Sequence, residues 1–402
     1  MEILICPTCK GSLIKDGFCG GKQKYECKNC GKKTVYPINT PDAEIIEQNV
    51  KLAKNNQLHS DKNRVLNKSW RSYVQFENTL VELNKELIEI LKEKNFSKLV
   101  KLHKVDNEEC VLVVSLSDLH FNELVTDVIG NSFDFIIASK RLKLFAEKIK
   151  RVCTVYNIKS IVVTMLGDLM NSDRRLSEVT SQANNRSRST FFAVDILKSF
   201  LLDLNDIANL TVFSVTGNES RVDQEIGWNN VVASNNFDTI IFNILKLLFK
   251  NNKGIQFVDG DPSEQVIKIS NSIFLIMHGN NIRSANGTHT EIQKIVGKFA
   301  NKGINVDYSL IGHYHSAHIS DTFSRSSSLV GANEYSEKCL NLASKSSQNV
   351  FIVHKNKELD CIRFGLQNID NVTGYEIDDV GDAYNSKSKQ KSYENTQIYH
   401  VK

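Results

Sequence analysis

Residues 111–120 read Val-Leu-Val-Val-Ser-Leu-Ser-Asp-Leu-His and carry the clearest structural signal in the chain. A mostly apolar run of strand length ends at an Asp and a His two positions apart. Ligand-type residues also follow four later runs, which are Ser160–Leu166, Leu210–Val215, Ser272–Met277 and Tyr308–Ile311. Because longer amphipathic stretches separate the runs, the pattern predicts a layered α/β domain.

The residues that follow these runs have the chemistry of metal ligands. They are Asp118 and His120, Gly167-Asp168, Gly217-Asn218, His278, and Gly312-His313-Tyr314-His315. Loops at the carboxyl ends of strands converge on one edge of an α/β fold, so these side chains are expected to meet. Mixed oxygen and imidazole donors suit manganese, iron, zinc or magnesium, and the absence of cysteine argues against a structural zinc site here.

Each residue taken alone has a simpler explanation. Asp118 could cap a helix, His278 could be a hydrogen-bonded core histidine, and Gly167-Asp168 could form a turn. Five such features, each placed directly after an expected strand, are not independent accidents. Their combination favours a catalytic centre.

The order Asp-x-His, Gly-Asp, Gly-Asn, His and Gly-His-x-His resembles the calcineurin-like metallophosphoesterase family over roughly residues 110–320. The resemblance implies a β-sandwich flanked by helices and a site for two divalent cations, with manganese expected first. It implies that Asp118, His120 and His315 hold one cation. By the same resemblance Asn218, His278 and His313 hold the other, and Asp168 bridges the two. A water between the cations would then be the nucleophile.

One position departs from the family pattern. The family usually has a His after Gly-Asn, where it is thought to assist the leaving group, and this chain has Glu219. A carboxylic acid donates a proton at neutral pH only if its pKa is raised, and nearby dications oppose that. Asp168, Asn218 and Glu219 are therefore the expected catalytic residues, with the general acid unassigned. Glu219 could also orient a water, pair with Arg221, or be a solvated residue.

Several arginines near the motifs are candidate phosphate contacts. Arg174, Arg175 and Arg221 are the first choices because guanidinium groups match phosphate oxygens, and Arg186 and Arg188 lie near the same motifs. Exposed arginine is common on any surface, so each of them could equally be a solvated residue.

Two Cys-x-x-Cys pairs, Cys6/Cys9 and Cys27/Cys30, stand seventeen residues apart near the start of the chain. This spacing predicts a zinc ribbon, because hairpins this small need an ion to be stable. A thioredoxin-like redox pair is the rival interpretation, which the second pair and the absence of a helix pattern disfavour. Seven lysines from Lys10 to Lys33 could attract a nucleic-acid backbone.

The expected organisation is a zinc ribbon over 1–40, a helical segment over 41–105, a catalytic domain over 106–365 and a loosely held tail over 366–402. In the helical segment an apolar stripe runs through Phe76, Leu80, Leu83, Leu87 and Ile90. That stripe favours packing within the chain, with a short coiled coil between subunits, and hence a homo-oligomer, as the alternative.

Composition sets the cellular context. The 402 residues are 41% hydrophobic and 24% charged with a net charge of +4, which are ordinary values for a soluble protein. No stretch approaches the ~20 apolar residues of a membrane span. No secretory leader is visible before Cys6, so a cytoplasmic protein is expected, in the host cell if a phage encodes it.

The segment from Asn49 to Leu91 and the run Gly331–Tyr335 are similar to phage-encoded calcineurin-like phosphoesterases grouped with DNA-repair exonucleases. The resemblance implies a metal-dependent phosphodiesterase acting on nucleic acid, DNA in preference to RNA. Two alternatives stay open. One is an enzyme acting on a small nucleotide or a phosphoprotein, and the other is a nucleic-acid-binding protein whose metal site is impaired.

Overall fold

The computed structural model describes residues 4–20, 22–35, 50–64, 100–105, 109–223, 229–338 and 343–377. The described residues belong to two units, one up to position 87 and one from position 88 onward.

The first unit contains a small antiparallel sheet and a helix. The strands β1 (Leu13–Cys19), β2 (Lys22–Cys27) and β3 (Lys33–Val35) pair in the order β1-β2-β3. Residues 50–64 form helix α1. They are part of the helical segment expected over 41–105, but residues 100–105 at its end have no regular structure, and most of the rest of the segment lies outside the described residues. The apolar stripe from Phe76 to Ile90, and with it the possible contact between subunits, lies outside the described residues.

The second unit alternates strands and helices in its first half and is richer in strands in its second. Its elements are β4 (Cys110–Leu116), β5 (Val125–Val128), β6 (Asn131–Phe133), α2 (Phe135–Val155), β7 (Ser160–Met165), α3 (Leu176–Thr180), α4 (Arg186–Asn205), β8 (Asn209–Ser214), α5 (Asn230–Ala233), α6 (Phe237–Leu248), β9 (Ile255–Phe257), β10 (Glu264–Ile269), β11 (Ser272–Met277), α7 (Thr288–Ala300), β12 (Tyr308–Ile311), β13 (His318–Ile319), β14 (Phe323–Arg325), α8 (Glu334–Lys338), β15 (Ser347–His354) and β16 (Leu359–Gly365). The five expected strands match β4, β7, β8, β11 and β12 to within one residue at each end.

Two large sheets form the centre of this unit. One has six strands in the order β16-β15-β4-β7-β8-β9, and the other has five in the order β10-β11-β12-β14-β13. In the first sheet β4, β7, β8 and β9 run parallel, and in the second β11, β12 and β14 run parallel. The remaining strands β5 and β6 pair with each other.

The two sheets pack face to face around one hydrophobic core. Alternate residues on each strand point into it, including Val113 of β4, Phe274 of β11, Leu310 of β12 and Phe351 of β15. All four are fully buried. The predicted layered α/β fold is confirmed, and its central layers form a sandwich.

Helices cover the outer faces of both sheets. On the six-stranded sheet, α4 contacts α2, α6 and β8, and Phe145 of α2 stacks on Phe200 of α4 with ring centroids 6.0 Å apart. On the five-stranded sheet, α7 buries Ile292 and Phe299 against Leu275 of β11. Because both faces of the central strands are covered, β4 is apolar along almost its whole length.

The start of the expected tail is described and packs on helix α2. The backbone of Gly374 passes so close to Ser139 that an added Cβ would collide with the serine hydroxyl. Tyr375 donates a hydrogen bond of 3.0 Å to Asp203. Residues 378–402 lie outside the described residues. Among the helices that are described, none is long and apolar enough to span a bilayer.

Candidate metal centre

The loops that follow five parallel strands converge on one edge of the sandwich. Three of them leave the six-stranded sheet after β4, β7 and β8, and two leave the five-stranded sheet after β11 and β12. Together they carry all seven of the side chains expected to bind cations.

Asp118, His120 and His315 form the first cluster, and their ligand atoms all lie within 4.8 Å of one another. The two Nε2 atoms of His120 and His315 are 3.0 Å apart, and Nε2 of His315 is 3.4 Å from Oδ1 of Asp118. His120 and Asp118 are buried. Two imidazole nitrogens and a carboxylate oxygen therefore point at a common position.

Asp168, His278 and His313 form the second cluster within the same distance limit. Nε2 of His278 is 2.9 Å from Oδ2 of Asp168 and 3.1 Å from Oδ1 of Asn218. Nδ1 of His278 lies 2.8 Å from the carbonyl of Leu166, which can only accept. Nδ1 is therefore the donor, which leaves Nε2 directed into the cluster, as second-sphere carbonyls commonly arrange for metal-binding histidines.

Backbone hydrogen bonds tie the two clusters together. The N–H of His313 donates to both carboxylate oxygens of Asp118 at 3.0 Å. The N–H of His120 donates to the carbonyl of Asp168, also at 3.0 Å. Each cluster is thus hydrogen-bonded directly to residues of the other cluster.

Five of the seven side chains sit on residues with positive φ. The angles are 52° for Asp118, 43° for His120, 52° for Asp168, 72° for His313 and 52° for His315. This left-handed region is disfavoured for residues with a Cβ, at a cost on the order of 1 kcal/mol or more for each residue. Strain of this kind concentrates at functional sites, where the surrounding structure holds it in place.

Two motif glycines are required by close approach. A Cβ on Gly217 would overlap the carboxylate of Asp168, and one on Gly312 would lie 2.5 Å from Oδ2 of Asp118. The loops pass so near the carboxylates that no side chain fits at either position. This is the structural reason for glycine beside Asn218 and His313.

The electrostatic environment differs among the histidines of the two clusters. Burial and the neighbouring His315 lower the pKa of His120 to about 4, and burial with His278 lowers the pKa of His313 to about 4. Both rings are therefore neutral at pH 7, the form that coordinates metals. Burial opposes a charge on His278, but the Asp168 carboxylate outweighs it and raises the pKa of His278 to about 10. A bound cation would take the place of that proton beside Asp168.

Glu219 is held by both of its carboxylate oxygens. Oε1 accepts a hydrogen bond from the side-chain amide of Asn218, and Oε2 lies 3.0 Å from Nη2 of Arg174. Its N–H donates to Oδ1 of Asp168 at 2.6 Å. Burial and the Asp168 charge raise the pKa of Glu219, although Arg174 opposes this.

The candidate phosphate contacts occupy different surroundings. Arg174 is largely buried and donates to the carbonyls of Asn218 and Glu219. Arg186 is buried too, donates to Glu219 and packs over the ring of Phe237. Arg175 is exposed beside Glu178. Arg221 donates to the Asn218 carbonyl. Arg188 lies in the first turn of α4, is half-buried, and its backbone N–H donates to the side chain of Asn185, the residue before the helix.

Sequence patterns did not reveal two residues that position the site. Asp238 of α6, fully buried, accepts backbone N–H bonds from Asp168, Leu169 and Gly217 at 2.8–3.0 Å. Burial and the Asp168 charge raise the pKa of Asp238 to about 6. Gln348 of β15 bonds to both the N–H and the carbonyl of Ser117, the residue before Asp118.

A third cluster lies in the first unit. The four thiols of Cys6, Cys9, Cys27 and Cys30 are within 4.8 Å of one another, with Sγ–Sγ distances of 3.8 Å for Cys6–Cys30 and 3.3 Å for Cys9–Cys27. Sulfurs bound to one zinc at ~2.3 Å stand at similar separations. In each pair the N–H of the residue after the second Cys donates to the carbonyl of the first. The residues present fit a tetrahedral zinc ion.

Comparisons with known proteins add little to this geometry. No family model matches the chain, and no curated protein matches. Among solved structures, the chain is similar to a zinc complex of Vps29 from Entamoeba histolytica, with 14% identity over 63% of this chain and 99% of that one, and a TM-score of 0.29. A predicted phosphoesterase from Streptococcus pneumoniae gives 12% identity over 63% and 97%, with a TM-score of 0.24.

The sulfate thiohydrolase SoxB of Thermus thermophilus gives 10% identity over 71% of this chain and 61% of that one, with a TM-score of 0.31. Scores this low do not assign a family. The interpretation of the site therefore rests on its own residues and distances.

Proposed function

We propose that this chain is a two-cation phosphodiesterase of the calcineurin-like metallophosphoesterase type that hydrolyses nucleic acid, DNA in preference to RNA. The observation that carries the proposal is the pair of interlocked clusters at one edge of the sandwich. Each combines buried carboxylate and imidazole donors, and each takes its residues from both sheets. Hard oxygen and imidazole donors without thiolates are suited to manganese and similar cations.

When bound, two such cations polarise phosphoryl oxygens and lower the pKa of a water between them. Asp118, His120 and His315 would hold one. The residues for the other are Asp168, His278, His313 and the Oδ1 atom of Asn218, with Asp168 placed between the two groups. The protein keeps these donors oriented before a cation arrives, because Asp238, Gln348 and the Leu166 carbonyl fix their loops and rings.

Glu219 has a positioning role in this scheme. It accepts from the Nδ2 group of Asn218, which leaves the Oδ1 atom of that amide facing His278 and the second cation position. Its other oxygen is held by Arg174. Because both oxygens act as acceptors, the proton for the leaving oxygen comes from elsewhere, and substrates with good leaving groups are expected to react fastest.

The first unit supports a nucleic-acid substrate. Five exposed lysines of the zinc ribbon have no ion-pair partner among the described residues, and they are Lys10, Lys15, Lys22, Lys28 and Lys32. Exposed lysines of this kind bind phosphate backbones through counterion release. Salt-sensitive DNA binding that is lost when residues 1–40 are deleted would support this role.

The test is an assay with Mn²⁺ on bis-p-nitrophenyl phosphate, single- and double-stranded DNA, RNA and a phosphopeptide. Asp168→Ala and His278→Ala should each lower kcat by at least about a thousandfold, because each removes a donor to a cation that activates the reaction. The control His289→Ala changes an exposed histidine of α7 and should retain full activity.

Wild-type activity in Asp168→Ala would disprove the assignment of the site. Cleavage of the small ester without any nucleic acid would favour a small nucleotide or phosphoprotein substrate. Cation binding without turnover of any ester would indicate a nucleic-acid-binding protein instead.

A further inference from the structure

A cavity of about 240 Å³ opens directly beside the second cluster. Gly217 and Gly279 both line it, and the residue next to each of them, Asn218 and His278, faces the cation position. Consecutive Cα atoms are ~3.8 Å apart, so the cavity begins about one residue from the cluster. An organic group esterified to a phosphate held at the cluster would lie within reach of it.

The lining of the cavity combines apolar surface with side-chain amides that can form hydrogen bonds. Val232, Ala233 and Met277 supply apolar surface. Asn280 and Asn281 also line the cavity, and their side-chain amides form no hydrogen bond with any described residue. Asparagine amides pair with the edges of bases, adenine above all.

The charged groups of the lining are already engaged. Glu264 is bound by Lys298 at 2.5 Å, and Arg221 donates to the Asn218 carbonyl. The volume is below the ~300 Å³ at which drug-sized sites begin, which matches one nucleoside and not two.

We propose that this cavity binds the nucleoside next to the scissile phosphate, with its base against Asn280 and Asn281. The proposal rests on the proposed function and narrows the substrate to nucleoside phosphoesters. A base in the cavity cannot stay paired in a duplex, so a single strand or a frayed end is the form that reaches the cations.

The experiment compares bis-p-nitrophenyl phosphate with the p-nitrophenyl esters of the four deoxynucleoside 5′-monophosphates, using the full chain with Mn²⁺. The wild type should show a kcat/KM at least tenfold higher for the deoxyadenosine ester than for the simple ester. In Asn280→Ala and Asn281→Ala the ratio of these two kcat/KM values should fall about tenfold. Asn301→Ala, at the C-terminal end of α7, should keep the wild-type ratio.

Binding measurements make the test independent of turnover. Titration calorimetry with dAMP and with inorganic phosphate should show that dAMP binds more tightly, and that Ala233→Phe, which fills the cavity, removes the difference. Thermal melts check that each variant is folded.

A wild type that hydrolyses the simple ester but shows no nucleoside preference would overturn the cavity proposal while leaving phosphoesterase activity in place. A preference that persists in all three cavity variants would place the nucleoside elsewhere and overturn it too. If no ester is turned over, the proposed function fails, and the dAMP titration still decides whether the cavity binds a nucleoside.

Discussion

At the scale of single residues, the donors of the candidate metal centre are held in place by residues that lie far away in the chain. Asp118 and His278 are recognisable because ligand chemistry belongs to the side chain itself. The contacts that position them cannot be recognised in the same way, because the partner residues lie in distant parts of the chain. Asp238 is 70 positions from Asp168, and Gln348 is 231 positions from Ser117. No local pattern connects such pairs, and neither Asp nor Gln is unusual where it stands.

Gly217 offers a direct test of how tightly the second cluster is built. In Gly217→Ala the new Cβ would overlap the Asp168 carboxylate, so the loop must shift. We expect the free energy of unfolding to fall by about 1–3 kcal/mol and one of two Mn²⁺ ions to be lost. Denaturant titration and calorimetry measure these two quantities.

The matched control is Gly297→Ala in α7, where a Cβ would meet nothing within 4 Å. It should gain about 0.5–1 kcal/mol of stability, because alanine is the better helix former. Two cations bound with wild-type affinity in Gly217→Ala would contradict the close packing described here.

Glu219 should affect cation affinity through Asn218. Glu219→Ala frees the Asn218 amide to rotate, and we expect the affinity for the more weakly held Mn²⁺ to fall about 10–100-fold, as for other residues that orient ligands. Glu219→Gln keeps an acceptor oxygen for that amide and should lose less. Calorimetric Mn²⁺ titration separates the two variants, and equal affinities in both would remove the positioning role.

At the scale of elements, the strands that could be predicted are those covered on both sides. β11 and β12 are apolar except for one serine in each, and their bounds were predicted without error. β15 was not predicted, because it starts with the polar residues Ser347, Gln348 and Asn349. All three are buried and hydrogen-bonded, and only the assembled fold reveals their partners. Gln348 donates to the Ser327 carbonyl near the site, Asn349 donates to Ser324 of β14, and Ser347 accepts from Arg363 of β16.

An ion-pair group between α2 and α4 makes stability depend on pH. Asp203 of α4 accepts from Lys143 at 2.8 Å and from Lys150. Burial alone would raise the pKa of Asp203, but the two lysines outweigh it and lower that pKa. A lowered pKa in the folded state means that the stabilisation is complete above the ordinary value near ~3.9 and disappears as pH falls through the folded value.

Asp203→Asn should therefore lower the free energy of unfolding by about 1–2 kcal/mol at pH 7. The difference from wild type should shrink as pH falls below about 4. Chemical denaturation at a series of pH values measures this. Asp259→Asn, whose side chain is 70% exposed, serves as the control and should change stability by less than about 0.5 kcal/mol. A loss in Asp203→Asn that is constant from pH 7 to pH 3 would contradict this explanation.

At the scale of the whole molecule, each of the two units has its own source of stability. The second has a large core between its sheets. In the described part of the first, the buried hydrophobic residues are Cys6 and Cys27. We therefore expect zinc to stabilise the first unit, as the cysteine spacing predicts, because a sheet of three short strands cannot bury enough apolar surface to be stable alone.

Removing one thiol should therefore unfold the ribbon. Cys30→Ser is expected to lose one zinc per chain and to make the first 35 residues sensitive to protease. Cys19→Ser alters an exposed thiol outside the cluster and should do neither. Elemental analysis of the purified variants measures their zinc content. Equal zinc content in Cys30→Ser and Cys19→Ser would rule out the four-cysteine site.

The origin of the seven donors has a mechanical consequence. Four of the donors follow strands of the six-stranded sheet and three follow strands of the five-stranded sheet: Asp118, His120, Asp168 and Asn218 on one side, and His278, His313 and His315 on the other. Each coordinated ion would therefore cross-link the two sheets and resist any sliding of one sheet past the other. Removing the cations with a chelator should weaken the contact between the sheets first at the edge that carries the metal centre. Amide hydrogen exchange should therefore become faster at the carboxyl ends of β4, β7, β11 and β12 before it changes at the opposite end of the sandwich.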